Sequence, residues 1–519
     1  RSSCQQSDGA FSLRNMLSFV VKTNIIKYNV ERINCMLFNS YIFILFFLPL
    51  AFAGYFFLNF IKRYRLAQMW LIIMSLWFYG YFNVGYLWII CFSIIFNFLL
   101  SRRISRNDRY KKMLLMIGIT FNLGSIFYFK YFDFFIESVN ALFCSDFELQ
   151  HILLPLGISF FTFQQISFLV DTYKGEIEDY NFVEYALFVV FFPQLVAGPI
   201  VFHEEMIPQF RSVEKKRING DNIAAGLYMF AVGLFKKVLL ADTLGRAVTW
   251  GYETVWDMTS LEILIVSLCY TFQLYFDFSG YCDMASGIGR MFNIDLPVNF
   301  NSPYRSCSVL EFWDRWHMTL TRFLKKYVYI PLGGNRKGTL RTYINIMLVF
   351  LLSGLWHGAG WTFVIWGAVH GLVNCLNRIF KNVWDKVYGG VRWVCTFLFI
   401  NCTWIIFRAD SLKKAWCFIK KLFCMDTLSV RAELFDSVRL VEFDFLEGKF
   451  GIFRFLPSRI DGFHILVLLF ISFLIVLAGK NCYEREFTPT WKNAVLTVVL
   501  LVWSIMSLSG VSTFLYFNF

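Results

Sequence analysis

Two histidines lie where an ionisable side chain is costly. Three of the six histidines in this chain fall between Glu311 and Gly371, a stretch that begins EFWDRWH and ends SGLWHGAGWTFVIWGAVHG. His317 lies in its aromatic, arginine-rich beginning. His357 lies in its glycine-rich end, at a depth where the bilayer makes ionisable groups expensive and therefore functional. A neutral imidazole, with a pKa of about 6.5 in water, suits a general base at physiological pH, so the pattern predicts base catalysis.

His357 carries the stronger signal of the two. Gly354 and Gly358 thin the helix around it and let another group approach the imidazole. Trp356 and Trp361 supply apolar walls that keep the ring neutral by desolvation. We therefore favour a catalytic role for His357 over a structural one.

His317 has two interpretations that the residues alone leave open. If its segment is helical, Trp313, Trp316 and Leu320 share its face, since positions three and four apart are neighbours on a helix. The histidine then either belongs to the active site or is hydrogen-bonded within an aromatic interface. For His370, on the next helix, the structural interpretation is favoured.

The stretch 302–341 carries eight basic side chains against two acidic ones. Such a patch usually anchors a membrane protein on the cytoplasmic side, yet this one adjoins PLGGNRKG. The glycines there allow a ligand to approach the backbone closely, and Arg336 and Lys337 can meet phosphates, which suggests a phosphorylated acyl donor. The predicted donor-binding residues are Arg315, Arg322, Lys326, Gly333, Gly334, Asn335 and Arg336.

Several other chemistries are excluded by their missing motifs. The chain has no GxxxxGK[ST] loop, no GxSxG elbow, no HExxH pair and no HxxxxD arrangement. The thirteen cysteines show no CxxC pair and no metal-ligand spacing, so no metal site is predicted. A hydroxyl can attack an activated thioester directly once a base removes its proton, which leaves histidine as the principal catalytic residue.

The elements that hold these residues are membrane helices. The chain is 57% hydrophobic and 20% aromatic, with repeated apolar runs long enough to cross a bilayer. The fold class is therefore all-α and polytopic, with about eleven or twelve membrane segments. Most of the net charge of +13 falls in short loops, which indicates lipid headgroups and not nucleic acid.

Broken helices predict a cavity inside this bundle. Pro155 and Gly157 interrupt one apolar run, and Pro193, Gly198 and Pro199 interrupt the next. Irregular backbone at membrane depth is tolerated only where protein or a water-filled cavity surrounds it, so we expect re-entrant or broken segments around a central tunnel. The predicted tunnel-lining residues are Trp313, Trp316, Trp356, Trp361, Gln273, Asp277 and Ser279.

Two regions carry little of the functional pattern. Residues 1–35 are polar and read as an upstream extension, disordered or not native. Residues 409–461 mix charged and aromatic residues, which predicts a surface-lying loop or amphipathic helix.

Taken together, FWDRWHMTLTRFLKKYVYIPLGGNRKG and SGLWHGAGWTFVIWGAVHG closely resemble the membrane-bound O-acyltransferase (MBOAT) family, in its bacterial alginate O-acetylation branch. Supporting stretches are PLGISFFTFQQISFLVDTYKGE, FFPQLVAGPIV and FDFSGYCDMASGIGRMFNIDLPVNFNSPY. The resemblance implies the MBOAT fold, as one domain over residues 36–519. It matches His357 to the family's near-invariant histidine and His317 to its second active-site position.

The resemblance also implies an acyltransferase of the bacterial cytoplasmic membrane. Its donor would be acetyl-CoA or another acyl thioester, reached from the cytoplasm, and no cofactor is tightly bound. Family members pass acetyl groups across the membrane, commonly to a partner resembling SGNH hydrolases, for O-acetylation of an exported polysaccharide. In the expected mechanism, His357 takes the proton of an acceptor hydroxyl, and His317 orients or polarises the thioester carbonyl.

Three alternatives remain from the sequence. The chain could transfer D-alanyl groups to teichoic acid from an acyl carrier protein, as a related group does. It could be a transporter or flippase whose polar residues line a path without chemistry, or a structural subunit that recruits the real transferase. The acceptor polymer stays open between alginate, cellulose, peptidoglycan and teichoic acid.

Overall fold

The computed structural model describes residues 36–424, 427, 429–438, 462–484, 487–508, 512, 514 and 515. Regular structure within these ranges is helical throughout, without a strand. The predicted all-helical fold is therefore confirmed. The predicted extension over residues 1–35 and the later part of the predicted surface region, 439–461, lie outside the described residues.

The amino-terminal part forms long helices followed by a group of shorter ones. The apolar run over residues 66–100 forms two separate helices, because the chain leaves helical geometry at Asn83. The helices are α1 (Phe43–Phe60), α2 (Tyr64–Phe82), α3 (Gly85–Arg106), α4 (Lys111–Phe143), α5 (Ile158–Lys174), α6 (Phe182–Val190) and α7 (His203–Arg211).

The middle part contains two of the three longest helices, of 34 and 32 residues, and all of the stretch that carries the predicted histidines. Two short helices precede the glycine loop, and a helical hairpin follows it. These helices are α8 (Gly220–Glu253), α9 (Ser260–Met291), α10 (Val309–Arg315), α11 (Met318–Leu324), α12 (Thr339–His357) and α13 (Trp361–Ile379).

The carboxyl-terminal part packs around α8, α9 and α13. Its described helices are α14 (Gly389–Arg408), α15 (Leu412–Cys424), α16 (Ala432–Ser437), α17 (Phe463–Leu477) and α18 (Trp491–Met506). Across the described residues, seven helices are long and apolar enough to cross a membrane, namely α1, α3, α4, α8, α9, α12 and α14. The chain is a multi-pass membrane protein.

The predicted breaks in the chain are confirmed, and they pack against each other. Helix α5 begins only after Gly157, whose φ of +68° is a conformation that glycine adopts without steric cost. Helix α6 ends at Val190, and the buried chain then runs irregularly to Phe202 apart from a short turn. A Cβ atom at Gly157 would lie 2.8 Å from the carbonyl oxygen of Leu195, so only glycine lets the two irregular segments meet.

The hairpin of α12 and α13 is built on glycine contacts. A Cβ atom on Gly354 would lie 2.3 Å from the carbonyl oxygen of Phe363, and one on Gly367 would lie 2.4 Å from that of Phe350. Small residues at such positions let two membrane helices approach to backbone contact. This close approach fixes the end of α12, and therefore His357, against α13.

Replacing Gly354 with alanine should lower the free energy of unfolding by about 1–3 kcal/mol, because the added methyl group overpacks this contact. Gly124→Ala is the matched control, since Gly124 lies within α4 and an added Cβ meets nothing within 4 Å. There alanine should be neutral or stabilise by up to about 1 kcal/mol through its helix propensity. Thermal unfolding of the purified protein in detergent measures both, and equal effects would contradict the close packing.

Candidate active site

His317 and His357 lie side by side in the interior. Their imidazole ring centroids are 6.3 Å apart, and the residues are 1% and 4% exposed. His357 is the last residue of α12, whereas His317 directly precedes α11. The indole of Trp356 packs against both rings, with centroid distances of 5.7 Å and 5.0 Å. The structure thus brings together the two histidines that the sequence singled out.

Two cavities with no lining residue in common reach this pair, one at each histidine. A cavity of about 680 Å³ is lined by His317 and by the glycine loop from Gly333 to Arg336. A smaller one, of about 70 Å³, is lined by His357, Trp356 and Lys130. A molecule in the larger cavity would therefore meet His317, and a molecule in the smaller one would meet His357.

The segment around His317 is not one continuous helix, so the predicted shared face of Trp313, Trp316, His317 and Leu320 is wrong. Helix α10 ends at Arg315, and His317 has a φ of +46° before α11 begins. Left-handed backbone is uncommon for a residue other than glycine and concentrates at functional sites. Because of this break, the His317 ring packs against Trp356 and does not share a helical face with the residues of α10.

Lys130 is a residue of this site that the sequence analysis missed. Its Nζ donates to the carbonyl oxygens of Trp356 and His357 at 2.6 Å and 3.2 Å. Beside it, the hydroxyl of Tyr131 donates to the carbonyl of Leu355 at 2.6 Å. These donors satisfy the end of α12, where a cation also interacts favourably with the helix dipole. The available signal was a single lysine within the long apolar run of α4.

Four of the seven predicted donor-binding residues line the larger cavity with His317: Gly333, Gly334, Asn335 and Arg336. The basic side chains of Lys325, Lys337 and Arg378 line it as well, and neither Lys325 nor Arg378 was predicted. The cavity therefore combines apolar lining with four basic side chains, which suits an acyl donor that carries phosphate groups.

The other three predicted donor-binding residues are engaged with carboxylates away from that cavity. Arg315 pairs with Glu311 at 3.0 Å. Arg322 forms a two-pronged ion pair with Glu205. Because these cations are already neutralised within the fold, the structure does not bring them to the predicted donor site. Lys326, the third, belongs to the cluster around Asp171.

Asp171 is fully buried in α5 and is held by three donors. Its Oδ2 accepts hydrogen bonds from Tyr327 at 2.6 Å, Lys326 at 3.1 Å and His203 at 3.3 Å. Burial raises the pKa of Asp171, but the hydrogen bonds from His203 and Tyr327 and the charge of Lys326 outweigh it and hold the pKa below its ordinary value. The carboxylate is ionised, and the cluster ties the end of α11 to α5 and α7.

Of the seven predicted tunnel-lining residues, two line a cavity and five do not. Trp313 lines the larger cavity and Trp356 the smaller one. Neither cavity is lined by the other five. Trp316 is buried among aromatic rings, and Trp361 is 56% exposed on the surface. Gln273 packs against Gly245, Asp277 pairs with Lys237 at 2.6 Å, and Ser279 is buried within α9.

His370 has the contacts of a structural histidine, as expected. Its Nδ1 accepts a hydrogen bond from the indole of Trp313 at 3.2 Å, and its Nε2 lies 3.0 Å from the hydroxyl of Thr403. Both ring nitrogens are therefore used within the core. His370 braces Trp313, which forms part of the wall of the larger cavity.

Comparison with known proteins gives one family and several relatives. Residues 145–411, which include both histidines, match the model of the membrane-bound O-acyltransferase family. A peptidoglycan O-acetyltransferase of Helicobacter pylori is 40% identical over 95% of this chain and 99% of its own. A "probable alginate O-acetylase" of Pseudomonas aeruginosa is 39% identical over 76% of each chain. A teichoic acid D-alanyltransferase of Bacillus subtilis is 27% identical over 49% of this chain and 68% of its own.

Asp171→Asn should lower the free energy of unfolding by about 2–3 kcal/mol, because charged hydrogen bonds to a buried carboxylate are lost. Glu176→Gln is the control. Glu176 lies 3.8 Å from the same Lys326 but is half-exposed, so its loss should change stability by less than about 0.5 kcal/mol. Thermal unfolding in detergent compares the two. A larger loss of stability for Glu176→Gln than for Asp171→Asn would show that Lys326 is stabilised mainly by the half-exposed Glu176.

Proposed function

This chain belongs to the membrane-bound O-acyltransferase family, and we propose that it moves an acetyl group from a cytoplasmic thioester across the bacterial cytoplasmic membrane for O-acetylation of an exported cell-envelope polysaccharide. The family and the relatives make it an acyltransferase. The donor, the direction of transfer and the acceptor are the proposed parts. The observation that carries the proposal is the buried pair of histidines between two cavities.

The larger cavity is the proposed donor site. Acetyl-CoA, a substrate and not a bound cofactor, would place its phosphates near Arg336, Lys337 and Arg378 and its thioester near His317. The glycine loop supports this placement, since Gly333 and Gly334 both have positive φ values and present backbone without side chains. An acyl carrier protein with a phosphorylated arm would use the same cations.

His357 is the proposed general base. It faces the smaller cavity, from which an acceptor hydroxyl would enter. The imidazole takes the hydroxyl proton as the oxygen attacks the thioester carbonyl, so a C–O bond forms and the C–S bond then breaks. The proton passes on to the departing thiolate, which restores the neutral imidazole. His317, on the donor side of the pair, orients the thioester.

Peptidoglycan is the first candidate acceptor, because the peptidoglycan O-acetyltransferase aligns with this chain over nearly its whole length. Alginate or another polysaccharide is the second, from the alginate O-acetylase relatives. D-alanyl transfer has weaker support, since the D-alanyltransferase matches about half of the chain. An SGNH-hydrolase-like acetyltransferase outside the membrane is the proposed partner that receives the acetyl group.

The central test uses the purified protein in detergent, where no compartments exist and a transporter would form no product. Labelled acetyl-CoA is supplied together with the SGNH-hydrolase-like partner and peptidoglycan glycan fragments or, in parallel, with the partner and polymannuronate. His357→Ala should reduce transfer at least about 100-fold, the usual contribution of a general base, with an unchanged melting temperature. Full transfer by folded His357→Ala would refute the assignment, and no transfer by the unaltered protein would favour a transporter or structural subunit.

His203→Gln is the matched control for this test. His203 is also buried and hydrogen-bonded, to Asp171 and Tyr180, but it lies outside the histidine pair and both cavities. The variant is expected to lose stability while each folded molecule keeps its turnover. An equal loss of turnover in both variants would mean that histidine replacement acts through folding.

Removing the cations of the larger cavity tests the donor site. The double variant Arg336→Gln and Lys337→Gln should raise KM for acetyl-CoA by about tenfold or more at unchanged kcat, because each charged contact to phosphate contributes about 1 kcal/mol or more. Arg341→Gln, a nearby basic residue that does not line the cavity, should leave KM within twofold of the unaltered value, by the same reasoning. Similar KM values for both variants would place the donor elsewhere.

A further inference from the structure

Asn299 holds the strained turn at His317 in place. It is fully buried in the segment between α9 and α10. The backbone N–H of Met318 donates to its carbonyl oxygen at 2.9 Å, and the N–H of Asn301 donates to the carbonyl of Arg315 at the same distance. A left-handed residue other than glycine persists only where its surroundings determine it. These contacts on both sides of His317 provide that constraint.

Hydrogen bonds also determine which atom of the Asn299 side chain faces the histidine. The backbone N–H of Thr319 can only donate, and it donates to Asn299 Oδ1 at 3.3 Å. The Thr319 hydroxyl donates to the same oxygen at 2.9 Å, while Asn299 Nδ2 donates to Cys282 Sγ at 3.2 Å on the other side. The amide is therefore oriented with its oxygen toward His317, whose Nδ1 lies 3.1 Å away.

An amide oxygen carries no hydrogen, so His317 Nδ1 must be the donor in this contact. A neutral imidazole has one N–H, and a proton on Nδ1 leaves the lone pair on Nε2. We propose that Asn299 is a positioning residue that keeps His317 in the Nδ1–H tautomer, so that His317 acts in acyl transfer as an acceptor through Nε2. The inference rests on the proposed function and sharpens one part of it.

The consequence is that His317 does not polarise the thioester carbonyl, because that role needs an N–H directed at the carbonyl oxygen. It is instead placed to carry a proton. In the net reaction the O–H bond of the acceptor and the C–S bond of the donor break, and a C–O bond and an S–H bond form. His317 lies between His357 and the donor cavity, so Nε2 can take the proton released at His357 and pass it to the thiolate.

The variant Asn299→Asp distinguishes two roles of His317: accepting a proton through Nε2, or polarising the thioester carbonyl with an N–H. A carboxylate beside Nδ1 still accepts its hydrogen bond but favours the imidazolium, in which Nε2 is a donor. If His317 must accept, kcat should fall at least about tenfold on the acidic side of the pH profile, recover as pH rises, and leave KM unchanged. The titratable groups around His317 that the profile must be compared with are His357, Lys130, Cys282, Asp314 and Lys325.

Asn401→Asp is the matched control. Asn401 is equally buried, but its amide contacts Ser267 and Thr271 instead of a histidine. Asn401→Asp should lower stability without making kcat fall at acidic pH. A fall in kcat at acidic pH that is seen in Asn299→Asp but not in Asn401→Asp supports the inference. Unaltered activity of Asn299→Asp at every pH, or a uniform loss in both variants, overturns it.

The tautomer can also be measured directly. The ¹⁵N imidazole resonances of His317, assigned by comparison with His317→Gln, should show a protonated Nδ1 and an unprotonated Nε2 in the unaltered protein. The reverse pattern overturns the inference even if Asn299→Asp does not fold. Failure of the unaltered protein to transfer acetyl groups would instead refute the proposed function, so the two failures are distinguishable.

Discussion

The site depends on one constraint: the last carbonyl groups of α12 have no water to bind and must be satisfied within the protein. Lys130 and Tyr131 of α4 supply the donors for Leu355, Trp356 and His357. The same contacts decide where α12 ends, and hence where the His357 ring stands relative to His317. A lysine is costly at this depth, and among the described residues it forms no ion pair with a carboxylate. Lys130 also lines the smaller cavity together with Trp356 and His357.

The basic residues of the central stretch serve two purposes that the fold keeps apart. Arg322 and Lys326 are neutralised by carboxylates and connect α11 to α5 and α7. Arg336 and Lys337 have no ion-pair partner in the part of the chain that the structure describes, and they line the larger cavity with His317. The anion-binding capacity of a strongly basic segment is thus concentrated where a phosphorylated donor would lie. A uniform basic patch would attract lipid headgroups equally well but would not select one orientation of a bound donor.

The sequence predicted the membrane helices, the broken segments and the two histidines, because these depend on hydrophobic runs, proline and glycine positions, and motifs that are local in the chain. It could not show that Arg322 and Lys326 form internal ion pairs and do not line the donor cavity, since their carboxylate partners come from segments more than a hundred positions away. Lys130 was missed for the same reason: its partners are carbonyl groups of another helix. The tautomer of His317 requires the orientation of one amide, which only the folded contacts around Asn299 reveal.

The position of His317 also depends on α9, through Phe278 and Cys282. The Phe278 ring lies 4.8 Å from the His317 ring, and Cys282 accepts the hydrogen bond that orients Asn299. Helix α9 contacts α8 at paired glycines, where apolar packing alone would permit sliding or rotation. Buried ion pairs join the two helices as well, between Lys236 and Asp283 and between Lys237 and Asp277. Such pairs contribute little net stability once desolvation is counted, but they can specify an arrangement. We infer that these charges, although outside both cavities, set the alignment on which the histidine pair depends.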